Sequence, residues 1–360
     1  MIKGIKSKIN EELFTKLFKF SMIILAVIAA LLIGSVFILA MGVSPLEAYK
    51  QMLVQPFLST QSIGEIIAKA TPLIIVGVGV AFAANGACNN LGGEGQLYMG
   101  ALGTIIITTS DWVKNLGIVG IILGMLAGTL FGAIWGGIAG YFKAYFKSSE
   151  LITTLMLNYI AVYIIGWLVH GPLMDSGGIN PQSEKIASNM HLAKLFTGSR
   201  AHIGIFIALA CILFYWIVLK KTRFGYNLRV VGISTKAAMY SGISTSSYYF
   251  KGMVIAGAFA GLAGSIEVFG VQFKLIENMV SGIGITGMVV ALLGLLHPMG
   301  ILVAAILMSS LTTGAEIMQV ASGVPTTLVS ILQGLIVLFV LCSFSIKRKK
   351  KVKVIHEGGV

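Results

Sequence analysis

The chain has 360 residues, of which 56% are hydrophobic and only 11% charged, with 26 Lys+Arg against 13 Asp+Glu for a net charge of +13. A soluble domain carries about 25% charged residues, so too few polar groups are present to clothe a soluble core of this size. At roughly 20 apolar residues per membrane crossing, the composition accommodates about ten transmembrane helices. It excludes a soluble enzyme, a secreted disulfide scaffold and a disordered tail protein.

Lys3, Lys6, Lys8, Lys16 and Lys19 make residues 1–19 a basic N-terminal segment. The apolar run Phe20–Gly42 is too long for a signal-peptide core and lacks a small-residue cleavage site, so it is expected to remain as a span. Further spans are predicted at Ala70–Ala84, Leu91–Thr109, Gly117–Tyr141, Leu151–His170, Ala201–Leu219, Gly252–Gly270, Ile283–Leu296, Ile301–Val320 and Thr326–Phe344. A basic tail, 346–360, follows. The expected fold is therefore all-α, a polytopic membrane protein with about ten transmembrane helices in a domain over 20–345. An even number of spans puts both termini on one side. With cytoplasmic termini, 19 basic residues fall inside and 6 outside, with Lys69 near or within a span. That asymmetry is what the positive-inside rule requires. The charge thus reports orientation, and nucleic acid is not expected as a partner. Cys88, Cys211 and Cys342 lie in or beside apolar segments without metal-ligand spacing and read as small buried hydrophobes.

Two predicted loops are long. The outer one, 171–200, holds Pro172, Gly177, Gly178 and Pro181 and reads as an ordered cap or an irregular loop. The inner one, 220–250, is basic and contains no long apolar run. Neither is large enough to be a nucleotide-binding domain, and no GxxxxGK[ST] occurs. Within Gly117–Tyr141, Gly124, Gly128, Gly132, Gly136 and Gly140 recur at every fourth residue. Small residues at that spacing form a groove where helix backbones approach closely in lipid. Packing within the chain is the expected use, with a seam between subunits as the alternative.

The densest polar cluster in apolar sequence is Asn89-Asn90-Leu91-Gly92-Gly93-Glu94-Gly95-Gln96. Irregular backbone at membrane depth is tolerated only where protein or a water-filled cavity surrounds it, and broken helices build substrate sites in transporters. The alternative is a tight cytoplasmic turn with Glu94 capping the next helix. A turn that dips back toward the pathway satisfies both. Glu65, Lys69, Glu150, Glu267 and Glu316 also lie in or near spans, Glu65 and Lys69 spaced to pair with one another. They do not form a proton-relay series. No Ser/His/Asp, HExxH or metal-ligand set appears, so no catalytic residue is expected.

In the inner loop, Ser234 or Thr235 can cap a short helix carrying Lys236, Ala237, Ala238 and Tyr240, which Gly242 then ends. A helix this short is unstable alone. Packing into a groove on a soluble partner would stabilise it.

The chain resembles the permease subunits of bacterial ABC importers of the ribose and branched-chain amino-acid superfamily, and is most similar to nucleoside and guanosine-type permeases. Ala81-Phe82 and Asn90-Leu91-Gly92-Gly93-Glu94-Gly95-Gln96 match one signature of that family. Gly225, Leu228, Arg229, Val231, Gly232, Ala237, Ala238, Gly242 and Ile243 match a second. Pro45–Tyr49, Gly257–Gly270 and Ser281–Gly294 are also typical, in co-linear order over about 20–345. The chain departs from the family at Asn85, where a basic residue is common, and at Asn89, where an aromatic one is.

The resemblance implies one membrane half of an importer in a bacterial cytoplasmic membrane. It implies three protein partners: a separate ABC ATPase that binds ATP and Mg, a second permease subunit that is a paralogue, and a substrate-binding lipoprotein. Arg229, Gly232, Thr235, Ala237, Ala238 and Gly242 would couple to the ATPase. Asn90, Glu94, Gln96, Asn158, Thr286 and Glu316 are assigned, by position, to the lining of the pathway. The solute would be a nucleoside, with ribose or another simple sugar as the alternative. An ion-coupled secondary transporter is the alternative of another class.

Overall fold

The computed structural model describes residues 28–335 except Ser176, Gly178, Ile179, Val280 and Ser281, together with Leu25, Leu338 and Phe339. The basic segments 1–19 and 346–360, and Cys342, lie outside the described residues. Those described are helical apart from turns, loops and two isolated β-bridges. In chain order the helices are α1 (Ile28–Ala40), α2 (Pro45–Leu53), α3 (Thr60–Asn85), α4 (Gly93–Thr108), α5 (Ile118–Phe146), α6 (Glu150–Val169) and α7 (Gly204–Lys221). They continue as α8 (Arg223–Ile233), α9 (Thr235–Tyr240), α10 (Thr245–Glu267), α11 (Ile283–Leu293), α12 (Pro298–Ser322) and α13 (Thr326–Leu335).

Six of these are long and apolar enough to cross a membrane: α3, α5, α6, α7, α10 with its extension to Gln272, and α12. Each of the ten predicted segments contains a helix. However, α4 has 16 residues and α11 has 11. At 1.5 Å per residue they reach about 24 Å and about 16 Å, short of a hydrocarbon core of about 30 Å.

The chain divides into two compact units, one formed by residues up to Leu58 with those from Ser310 onward, the other by Ser59–Ser309. In the first unit, Tyr49 donates its hydroxyl to the Leu31 carbonyl at 2.6 Å and Ser322 bonds Gln51 at 2.5 Å. Gly34 faces Leu332, and Gly314 lies against the backbone of Met52.

In the second unit the most buried long helix is α3, 89% of whose apolar window is covered, against 22% for α5 and for α6. It begins ten residues before the predicted Ala70. The charged Glu65 is accommodated there because Arg200 grips both its carboxylate oxygens, with Nε at 3.0 and 2.9 Å and Nη2 at 2.5 Å. Glu65 is therefore paired across the fold with Arg200. Pro72 stands inside α3; having no N–H, it leaves the carbonyl of the preceding turn without its helical donor.

α5 inverts the pattern of a soluble helix. Ile122, Leu126, Leu130 and Ile134 are exposed on one face, while Gly124, Gly128, Gly132, Gly136 and Gly140 are buried on the other. Large aliphatic residues gain nothing by leaving lipid, so the interior goes to residues that permit close backbone approach. A Cβ on Gly132 would strike the Gly257 carbonyl, one on Gly136 would reach the Met253 oxygen at 2.5 Å, and one on Gly124 would meet Phe269 at 2.6 Å. The stripe is thus used within the chain, against α10. Gly100 of α4 presses on Gly261 of the same helix, and a Thr104–Ser265 hydroxyl bond of 2.8 Å lies beside it.

The 171–200 segment is held as a cap by main-chain bonds from Ser183 to Leu275, Ile186 to Phe273 and Leu192 to Phe269, at 2.9–3.0 Å. The 220–250 segment contains more helix than expected. Besides the short α9 there is α8, which the absence of a long apolar run concealed. Its start is set by Thr222, whose hydroxyl accepts from Gly225 N at 3.1 Å, and by Gly225, which fits against the Val218 carbonyl where no Cβ could.

Candidate functional site

After α3 ends at Asn85, the chain turns through Gly86 and Ala87 and runs without regular structure to Leu91. α4 then begins deep beside α3. A Cβ on Gly93 would come within 3.2 Å of Val76 Cγ1. Val76 lies nine residues before the end of α3, so α4 starts about 14 Å inside that end. The polar cluster predicted between two spans is thus a re-entrant segment, and its side chains explain how it is tolerated.

Asn90 donates to Gln96 Oε1 at 2.8 Å and accepts from Gly92 N at 2.9 Å and from Gln96 Nε2 at 3.2 Å. Both amides are 1% exposed and satisfy one another. Asn158 of α6 takes the Gly95 N–H on Oδ1 and gives Nδ2 to the Leu91 carbonyl, each at 2.8 Å. It therefore occupies a free donor of the α4 N-terminus. Thr154 accepts from Leu91 N at 3.3 Å. Asn89 N donates to Glu150 Oε1 at 3.4 Å, and the other oxygen of Glu150 holds Lys143 Nζ at 2.7 Å. Side chains of α6 thus supply partners to Asn89 N, Leu91 N and the Leu91 carbonyl of this irregular stretch.

Glu94, in the first turn of α4, accepts from Gly282 N at 3.3 Å. It therefore reaches the start of α11 as well as lying at the start of its own helix. Gly282 has φ of +81°, which suits glycine. A Cβ on Gly284 would meet Glu94 Cβ at 2.7 Å. Two helix N-termini thus converge, with one half-exposed carboxylate set against both positive ends. Thr286, half-exposed one turn into α11, is on this junction. At the other end of α11, Leu295 and Leu296 both have positive φ, 54° and 56°. The buried Tyr215 donates to the Leu296 carbonyl at 2.7 Å and accepts from Asn85 Nδ2 at 3.0 Å.

Of the six residues assigned to a pathway, five gather around this re-entrant start. Asn90, Gln96 and Asn158 spend their hydrogen bonds on the segment itself, while Glu94 and Thr286 sit at the α4–α11 junction. Glu316 belongs to the other unit, where with Thr312, Gln319, Ser330 and Gln333 it lines a groove of about 350 Å³. Among the described residues no group of three or more His, Cys, Asp or Glu could hold a metal ion.

The α8–α9 segment presents a different surface. Ser234 caps α9, accepting from Ala237 N at 3.3 Å, and Gly242 ends it with φ of +75°. Ala238 is buried, Thr235 is half-buried, and Arg229 and Ala237 are exposed. Ile233, the last residue of α8, is 87% exposed and Tyr240, the last of α9, 92%, leaving apolar surface uncovered on either side of the six-residue α9. Gly232 fits against the Asn85 carbonyl, where no Cβ could. Two adjacent tyrosines of α10 hold this pair of helices. Tyr248 accepts from Asn227 Nδ2 at 2.9 Å and stacks on Phe224 of α8, and Tyr249 OH lies 3.4 Å from Thr235 Oγ1 of α9. Tyr215, Tyr249 and Lys143 were not legible as site residues, whereas Glu150 was visible as an ionisable residue in or near a span but without its partner.

The family described as branched-chain amino acid transport system / permease component matches residues 62–341. A guanosine ABC transporter permease protein of Bacillus subtilis is 33% identical over 327 residues, 90% of this chain and 93% of that protein. A nucleoside ABC transporter permease protein of Lactococcus lactis is 32% identical, covering 90% of this chain and 91% of its own. A glucose ABC transporter permease protein of Haloferax volcanii is also 32% identical, covering 90% and 88%. No solved structure matches the chain.

Proposed function

The chain belongs to the permease-component family of branched-chain amino acid transport systems, and from that premise we propose that it is one membrane half of an ATP-driven nucleoside importer in a bacterial cytoplasmic membrane. The observation that carries the solute class is the guanosine relative, similar across 90% of the chain. A simple sugar is the second reading, favoured by the glucose relative. Ten crossings with both termini cytoplasmic remain the topology that best fits the basic residues; α4 and α11 then act as partial spans meeting within the bilayer.

In this mechanism the re-entrant start of α4 faces the pathway, and Glu94 and Thr286 offer it polar groups. A neutral solute rich in hydroxyls needs hydrogen-bonding partners more than a strong field, and discrimination would lie mainly in a partner lipoprotein. The uncovered Ile233 and Tyr240 on either side of α9, together with Arg229 and Ala237, dock in a groove of a separate ATPase, where ATP and Mg bind. Closure of two such ATPases moves the α8–α9 pairs of this chain and a paralogous second half. That motion opens the pathway to one face and then the other.

The decisive measurement is uptake of labelled guanosine, adenosine and glucose by vesicles holding the assembled complex, with and without ATP. ATP-dependent guanosine uptake is expected. Uptake driven by a sodium or proton gradient without ATP would overturn the proposal in favour of an ion-coupled transporter. Ala237→Glu places a charge on the exposed docking helix and should abolish co-purification of the ATPase while leaving membrane insertion intact.

A further inference from the structure

One group of contacts joins the proposed docking helix to the re-entrant segment, and Tyr249 stands at its centre. Its hydroxyl is 3.4 Å from Thr235, the first residue of α9. Its main-chain carbonyl lies 3.9 Å from the Cys88 thiol, at the start of the irregular stretch. Lys143 Nζ lies 5.8 Å from the centre of its ring, and the same ammonium is bound by Glu150 at 2.7 Å. Glu150 in turn accepts from Asn89 N, and the carbonyl of Glu150 receives the Thr154 hydroxyl that holds Leu91 N. From Leu91 the contacts pass through Asn158 to Gly95, in the first turn of α4. Tyr249 packs on an apolar cluster of Ala83, Cys88, Ala139, Met253 and Ala256, drawn from α3, α5, α10 and the segment itself.

The neighbouring Tyr248 shows why this is more than general packing. Its partners, Asn227 and Phe224, belong to α8. Tyr248 therefore ties α8 to α10, whereas Tyr249 ties α9 to the re-entrant segment. Glu150, Thr154 and Cys88 are buried and Tyr249, Lys143 and Thr235 partly buried, so separating these contacts leaves polar groups poorly matched and favours movement as a connected body.

We propose that Tyr249, together with the Lys143–Glu150 pair beneath it, is the positioning element that carries movement of the α8–α9 pair to the re-entrant start of α4. The inference rests on the proposed role of α9 as the ATPase-docking helix. Tyr249 touches no solute; it acts through the main chain of 88–95.

The test uses the assembled complex carrying Tyr249→Phe or Lys143→Gln. The first removes the hydroxyl that meets α9, and the second removes the cation between the Tyr249 ring and Glu150 while keeping a hydrogen-bond donor, so the two variants break the chain of contacts at different links and disturb the fold differently. Assembly and basal ATP hydrolysis are expected to stay at wild-type levels, while solute transported per ATP falls roughly fivefold in both variants. A second readout separates coupling from packing. With Cys211 and Cys342 replaced by Ala, maleimide labelling of Cys88 should change between the nucleotide-free and ATP-trapped complex, and this change should vanish in both variants.

Transport per ATP within twofold of wild type in both variants, with the Cys88 response retained, would overturn the relay and leave the transport function standing. A wild-type complex that moves no solute with ATP would overturn the transport reading instead. Cys88 labelling, which requires only ATPase docking, still decides the relay in that case.

Discussion

Where α5 meets α10, glycine backbone lies on glycine backbone, and a Cβ at Gly132 or Gly261 has no space. Where α4 meets α11, two short helices meet at their first turns, with Gly284 against Gly93 and Glu94 and a carboxylate bond to Gly282. The first contact is continuous along many turns and indifferent to charge. The second is local and polar, and the helix beyond it ends in two residues of positive φ, Leu295 and Leu296. Non-glycine residues in that region cost of order 1–3 kcal/mol each and persist where surrounding structure holds them. A transport protein needs both kinds of joint: one that cannot yield, and one whose few bonds can be exchanged.

The contrast is broken most severely by filling the rigid joint. Gly132→Leu should cost about 3 kcal/mol, because backbone rather than a movable side chain stands in the way. The expected result is loss of monodisperse protein in detergent, measured by size-exclusion yield. Retained yield and melting temperature would mean that the helices do not approach this closely. At the polar joint, Glu94→Gln keeps shape and a weaker bond to Gly282 but removes the charge. Uptake is expected to fall roughly tenfold with protein yield unchanged, in line with the larger contribution of hydrogen bonds to charged groups. Unaltered uptake would reduce Glu94 to a helix cap.

The far end of α11 gives a smaller effect. Tyr215→Phe leaves the Leu296 carbonyl and the Asn85 amide each short of a partner and should cost about 1 kcal/mol, read as a lower melting temperature. The smallest effect is expected at Gly166→Ala. Its added Cβ would find its nearest neighbour, Glu277 Oε1, at 3.5 Å. Stability should therefore shift by less than about 0.5 kcal/mol. A large loss there would show that glycine spacing alone says nothing about close packing.

The two joints were unequally legible. The glycine stripe could be read directly, since a four-residue spacing on an apolar helix has few other uses; only its partner, α10, required the fold. The polar cluster at 89–96 was visible as an anomaly with two explanations, because residue order carries no information about depth. Asn90 and Gln96 were assigned to a pathway by position, and the bonds between them were not foreseen, since only at a helix start can two amides six residues apart face inward together. Glu94 was assigned to the pathway lining, with a cap on its own helix as the alternative, and it also reaches Gly282, 188 residues away. α8 escaped notice because its stability comes from a capping hydroxyl and the close fit of Gly225, neither of which produces an apolar run.

Composition and local pattern by themselves determined that this is an all-helical membrane chain, where its apolar segments lie, and that a short capped helix sits in a basic loop. These properties depend on hydropathy and on interactions within a few residues. Only the tertiary structure decided that α4 starts about 14 Å inside the end of α3, that Arg200 neutralises Glu65, and that Tyr249 stands between α9 and the re-entrant segment. Each of those depends on which distant backbones come close enough to satisfy a buried polar group, and no spacing along the chain records that distance.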